Sequence, residues 1–193
     1  DSSLIKLKKL EAKLSPCFSL SEDFSNGMVP RFNGMGEVAP DKLPLIVAGS
    51  LKNTLVSSRT GKEYNVPTNF ATSDEGMRAP IMSIGQLNEN KVLSNIERGV
   101  YLSNLHYLNW SDRIGGRITG MTRYACFWVE NGEIVAPIEN MRFDDTIYNI
   151  FGNNLEDSTD KLHLVPNVGS YDGRSLGGTF CPGIMLSSFS LTL

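Results

Sequence analysis

The pair Asn131-Gly132 constrains what this chain can fold into more than any other two residues. It joins Met121-Thr122-Arg123-Tyr124-Ala125-Cys126-Phe127-Trp128-Val129-Glu130 to Glu133-Ile134-Val135-Ala136-Pro137-Ile138. Asn-Gly tolerates the positive φ that both central positions of a type I′ turn demand, so two apolar runs meeting there read as a β-hairpin. In the first run Tyr124, Cys126 and Trp128 take one face while Ala125, Phe127 and Val129 take the other. Both faces are apolar, and the strand is expected in a sheet covered on both sides. Just upstream, residues 104–120 mix aromatics, amides, arginines and glycines without helical or strand period. That composition reads as a ligand-facing loop carried on a rigid sheet.

Around this hairpin the remaining elements are short. Ser3 is placed to cap a helix over residues 3–14, with Leu4, Leu7, Leu10 and Leu14 on one side, Lys6, Lys8, Lys9 and Lys13 on the solvated side, and Pro16 as its stop. Residues 17–44 are rich in Gly, Pro, Ser and Asn and read as irregular segments with short strands. Residues 43–47 and 51–56 form strands about Gly49-Ser50, residues 57–64 a loop or short helix, and residues 67–78 a long exposed connection. A strand over 81–84, a short helix over 88–96 and the start of a strand at 99–102 follow. Asp144-Asp145 reads as the cap of a helix that places Ile147, Ile150, Phe151 and Leu155 on one face. Strands over 162–165 and 182–193 close the chain. The expected fold is mostly β (α+β), an antiparallel β-sandwich or barrel-like sheet with two or three short helices.

With 193 residues, 40% of them hydrophobic, the chain can bury a real core, as one domain or one domain with an appendage. A formal charge of −3, with no basic cluster beyond the four N-terminal lysines, disfavours direct nucleic-acid binding. No apolar run approaches the roughly 20 residues that span a bilayer, and the start lacks a signal-peptide core. Cys17, Cys126 and Cys181 are widely spaced and none belongs to a C-x-x-C pair, which suits small buried hydrophobes in a reducing compartment. The expectation is a soluble, cytoplasmic protein without a membrane partner. The chain begins Asp1-Ser2-Ser3, enters a helix at once and ends in mid-strand. It therefore reads as a C-terminal part of something longer, with residues 1–16 the tail of a preceding domain and residues 17–193 the C-terminal domain.

Several chemistries lack their residues. A zinc site needs three or four ligands at workable spacing, but His106 and His163 are far apart and there is no H-E-x-x-H. No phosphate-binding loop exists, and Gly34-Met35-Gly36 and Gly115-Gly116 read as turns. No G-x-S-x-G context supports a serine nucleophile, and Cys126 lies inside a strand. Asn109-Trp110-Ser111 is a glycosylation sequon, which matters only in a secreted protein. No catalytic residue and no metal ligand is assigned. The best claim to function rests with residues 104–123, where Asn109 can bond a peptide backbone and Arg113, Arg117 and Arg123 can fork onto a carboxylate. His106 and Thr119 complete the candidate substrate-binding set. The same side chains would equally serve to satisfy loop carbonyls and acidic neighbours.

Gly99-Val100-Tyr101-Leu102, the Gly116-Arg117-Ile118-Thr119-Gly120 segment, and above all Phe127-Trp128-Val129-Glu130-Asn131-Gly132-Glu133-Ile134 followed by Pro137-Ile138 resemble the C-terminal region of the TldD/PmbA family, once labelled modulators of DNA gyrase. The resemblance is to the PmbA (TldE) type more than to the TldD type. It implies a cytoplasmic protease-type complex, a homodimer or a heterodimer with a zinc-bearing TldD-like subunit, that acts on extended or unfolded peptides in peptide maturation and proteolysis. In that family the zinc comes from an H-E-x-x-x-H helix in the preceding domain plus a late cysteine of the TldD type. The helix motif is missing here, and Cys181 lies closer to the last strand than the family's cysteine does. By the resemblance, zinc belongs to the full-length protein or its partner, and this chain has no cofactor and is inactive alone. Where the family often carries Gly-Asp-aromatic-Ser, this chain has Gly116-Arg117-Ile118-Thr119. The expected role is to shape a peptide cavity and a dimer surface; the alternative is a non-catalytic binding or assembly module.

Overall fold

The computed structural model describes residues 2–171 and 173–192. In chain order its strands are Leu20–Asp23 (β1), Lys42–Val47 (β2), Ser50–Leu51 (β3), Pro80–Met82 (β4), Arg98–Asp112 (β5), Arg117–Glu130 (β6), Glu133–Pro137 (β7), Arg142–Thr146 (β8), Leu155–Ser158 (β9), His163–Pro166 (β10), Gly178–Cys181 (β11), Ile184–Leu186 (β12) and Leu191–Thr192 (β13). Helical structure among the described residues is limited to Ile5–Lys8 (α1), Ser58–Tyr64 (α2), a π-helical turn over Asn149–Asn153 and two 3-10 turns, Glu89–Lys91 and Leu93–Asn95. The fold is mostly β with antiparallel sheets, and none of the sheets closes into a barrel among the described residues.

The chain divides into two compact units, one of residues 1–17, 85–161 and 183–193, the other of residues 18–84 and 162–182. The second unit is a six-stranded sheet in the order β10-β11-β4-β1-β2-β3. Its pairs are antiparallel except β11 with β4, which run parallel through Phe180 and Ile81. Phe24, Ala39 and Ala79 form a buried cluster there, with Val29 packed against it. Helix α2 starts where Ser57 Oγ accepts the Thr60 N–H at 3.2 Å and stops at Asn65, whose φ of 50° is left-handed, so the sequence's open choice between loop and helix resolves to helix.

The first unit holds the hairpin. Its five-stranded sheet runs β13-β8-β6-β5, with β7 pairing the far half of β6, and a separate ribbon pairs β12 with β9. Asn131 (φ 52°) and Gly132 (φ 79°) make the expected turn. Gly120, Thr122, Phe143 and Asp145 point to the buried face, where Phe143 is fully enclosed and its ring lies 5.0 Å from that of Phe189.

Five expectations are corrected. The N-terminal helix is one turn, not residues 3–14: Leu10 turns left-handed at φ 61° and lies 87% exposed, and the Glu11 N–H closes back on the Lys6 carbonyl at 2.8 Å. Leu7 and Leu14 are still buried, so tertiary contacts hold the apolar side without helix to spare. Strand 51–56 stops at Leu51, and the last strand is broken into β12 and β13. Asp144-Asp145 lies in β8 rather than at a helix start, because alternation of Arg142, Asp144 and Thr146 with Phe143 and Asp145 suits a half-buried strand. The capping falls to Thr146, whose Oγ1 accepts the Asn149 N–H at 3.1 Å. Finally, residues 104–120 are not a loop.

Candidate functional site

Those residues are strand. β5 and β6 run antiparallel from Arg98↔Glu130 to Asp112↔Arg117, and only the turn at residues 113–116 lies outside them. Three register shifts interrupt the pairing, between Leu102 and Asn104, between His106 and Asn109, and between Trp110 and Asp112. Each such bulge adds a residue to one strand and moves every later side chain to the opposite face in sequence count. That is why period-two alternation is invisible in the sequence although the backbone is extended. At two of the bulges Tyr107 (φ 55°) and Tyr124 (φ 63°) turn left-handed and stand 78% and 67% exposed. The expectation that both faces of this strand are covered is therefore corrected: Cys126 and Val129 are buried, while Tyr124 is swung out by its bulge.

The register assembles a polar face from residues far apart in sequence. On β6, Arg117, Thr119, Met121 and Arg123 alternate outward, opposite the buried Gly120 and Thr122. Their β5 partners are Asp112, Asn109, His106 and Asn104. Their β8 partners are Thr146 to Arg117, Asp144 to Thr119 and Arg142 to Met121. Cross-strand partners share a face, so five of the six candidate residues, His106, Asn109, Arg117, Thr119 and Arg123, lie on one outward face, Asn109 and Arg117 exposed and the other three half-buried. Arg113 does not, because it sits in the turn.

Charges on this face are partly consumed. Arg117 Nη1 donates to Asp144 Oδ1 at 2.6 Å, and that carboxylate is the leading reason the guanidinium holds its proton more firmly than usual. Asp112 Oδ1 accepts the Gly115 N–H at 2.9 Å, and Thr119 Oγ1 donates to the Phe143 carbonyl at 2.9 Å. The His106 ring rests 4.6 Å from that of Tyr107. The Arg123 guanidinium lies 4.3 Å over the Tyr124 ring, and Arg142 is exposed. No carboxylate among the described residues forms an ion pair with Arg123 or Arg142. Arg142, Asp144 and Asn104 belong to the face and were missed in the sequence. The signal was present in the alternation of residues 142–146, masked by the capping reading of the Asp-Asp pair.

β5 terminates the sheet. Its inner edge pairs with β6, and its outer edge meets no other strand among the described residues. None of its 15 residues is fully buried.

The domain these features define is a mostly β module built on a long, bulged hairpin with a polar outer face and an open edge. The PmbA/TldA metallopeptidase C-terminal domain model matches residues 1–193, and the chain belongs to that family. No curated protein matches it in sequence. Among solved structures it resembles TldE from Thermococcus kodakarensis, with a TM-score of 0.75 at 14% identity over 100% of this chain and 45% of that one. It also resembles a candidate modulator of DNA gyrase from Thermotoga maritima, with a TM-score of 0.71 at 16% identity over 99% of this chain and 44% of that one. A third, from Bacteroides thetaiotaomicron and described in the same terms, gives 0.72 at 13% over 99% and 42%. At such identities the likeness is one of fold, and this chain spans less than half the length of those structures.

The family's name invites a metal, and the donor set here does not fit one. Among the described residues no group of three or more His, Cys, Asp or Glu side chains comes together in a way that could hold an ion. No helix among them is long and apolar enough to cross a membrane.

Proposed function

We propose that this chain is the peptide-binding wall of a TldD/PmbA-type protein, receiving an extended peptide as an added strand along the outer edge of β5. The observation that carries the reading is that open edge, unpaired among the described residues and with no fully buried residue, flanked by the polar face of Asn104, His106 and Asn109. An unpaired edge offers a row of N–H and C=O groups to any extended chain, so affinity comes from the main chain and selectivity from side chains on alternate positions. Asn109 and His106 stand beside the incoming backbone, while Arg117 and Thr119 brace the sheet behind them. The hydrolytic step and any zinc lie outside these residues. The three free thiols suit a cytoplasmic setting.

The test is capture of a labelled extended peptide by the intact protein, compared with the same peptide N-methylated at alternate backbone positions. The unmodified peptide should bind and the methylated one should not, because methylation removes the ladder donors. Equal binding of both would sink the reading. Asn109→Ala should weaken capture with the fold intact.

Exposed Tyr107, Leu108 and Tyr124 favour a second reading, in which the same edge pairs with another subunit, homologous or identical. Sedimentation across a concentration series separates the two, since a subunit interface gives self-association or partner-dependent mass without peptide.

A further inference from the structure

The acids of the polar face are spoken for and two of its arginines are not. Asp144 is held by Arg117 and Asp112 caps the hairpin turn, whereas Arg123 and Arg142 have no carboxylate partner among the described residues. Arg142 stands opposite Met121, two residues from Arg123 along the outward row of β6, which makes the two guanidinia diagonal neighbours on adjacent strands. Strand β5 itself contributes a single acid, Asp112, so the surface beside its open edge is left with a positive excess.

Resting on the peptide reading above, we propose that Arg123 selects extended peptides carrying a glutamate, and that Arg142 behind it strengthens the field. Arg123 is paired with Asn104, so it lies one strand in from the edge. A peptide added to β5 would run about 10 Å from the Arg123 backbone, two strand spacings away, a gap that an arginine and a glutamate side chain together span across the short Asn104. Aspartate is shorter by one methylene and reaches less well. Stacking of the guanidinium on Tyr124 at 4.3 Å restricts its orientation while leaving edge N–H groups available for a carboxylate.

The experiment uses capped peptides of alternating Thr and Val with one central Glu, Asp or Gln, titrated into the intact protein by fluorescence anisotropy. The Glu peptide should bind about 1.5-fold to fivefold more tightly than the Gln peptide, the range expected for an exposed ion pair, with Asp in between and the preference shrinking as salt is added. Arg123→Gln should abolish the preference between the Glu and Gln peptides, Arg142→Gln should reduce it, and Arg123→Lys should restore part of it. Equal binding of the Glu and Gln peptides, or a preference that survives Arg123→Gln, overturns the inference and leaves the peptide reading standing. Binding of none of the three overturns both.

Discussion

Glu22 shows how one buried residue can set a pH dependence. Its side chain is only 3% exposed, and Oε1 accepts the N–H groups of Arg78 at 2.8 Å and Ala79 at 3.1 Å. Burial raises its pKa above the ordinary 4.5, opposed by those two hydrogen bonds and by the Arg78 charge. A carboxyl whose folded pKa lies above its unfolded one contributes stability that is complete below the unfolded value and lost as pH rises through the folded value. Glu22→Gln keeps an acceptor oxygen for both N–H groups and cannot ionise. Its stability relative to the wild type should therefore climb as pH rises above the ordinary carboxylate range of about 4.3; urea unfolding across a pH series checks it, and a pH-independent difference would count against it. Arg78 nearby donates to the carbonyls of Pro30 and Phe32 at 3.0 Å each and of Arg31 at 3.1 Å, and lies 4.8 Å over the Phe24 ring. Arg78→Ala should cost about 2 kcal/mol, since three carbonyls lose a charged donor together, seen as a lower denaturant midpoint.

At the scale of the element, the hairpin is the part the sequence announced most clearly and described least well. Asn131-Gly132 marked the turn because its chemistry is local, needing only two residues that tolerate positive φ. The length of the arms stayed hidden because the bulges at Tyr107 and Tyr124 scramble the alternation by which a strand is recognised. The candidate residues were singled out by composition, and five of them share a face only because of a register that composition does not encode. Gly120 exposes how tightly that register is packed. A Cβ there would lie 2.7 Å from the Phe143 ring and 2.9 Å from the His106 carbonyl. Gly120→Ala should cost about 1–3 kcal/mol by overpacking, while Gly34→Ala, with nothing within 4 Å, should change stability by no more than about 0.5 kcal/mol. Thermal or urea unfolding of the two variants side by side measures the contrast.

Over the whole molecule, the division of labour follows from what the chain carries. The described residues bring no metal-holding group together, and the proposed peptide surface uses backbone edges and guanidinia. EDTA should therefore leave capture of the unmodified peptide unchanged; loss of capture would show that the peptide surface depends on a bound ion and would count against the reading proposed above. What the sequence determined by itself was the class of fold, the central turn and the family, because turn chemistry, hydrophobic content and a contiguous motif are properties of neighbours along the chain. Helix limits, the fate of Asp144-Asp145 and the assembly of the polar face were decided only in three dimensions. Leu10 could end a helix early because Leu7 and Leu14 find their burial elsewhere, and Arg142, Asp144, Arg117 and Asn109 became neighbours only through cross-strand pairing, whose register depends on bulges and on the space around Gly120 and Phe143.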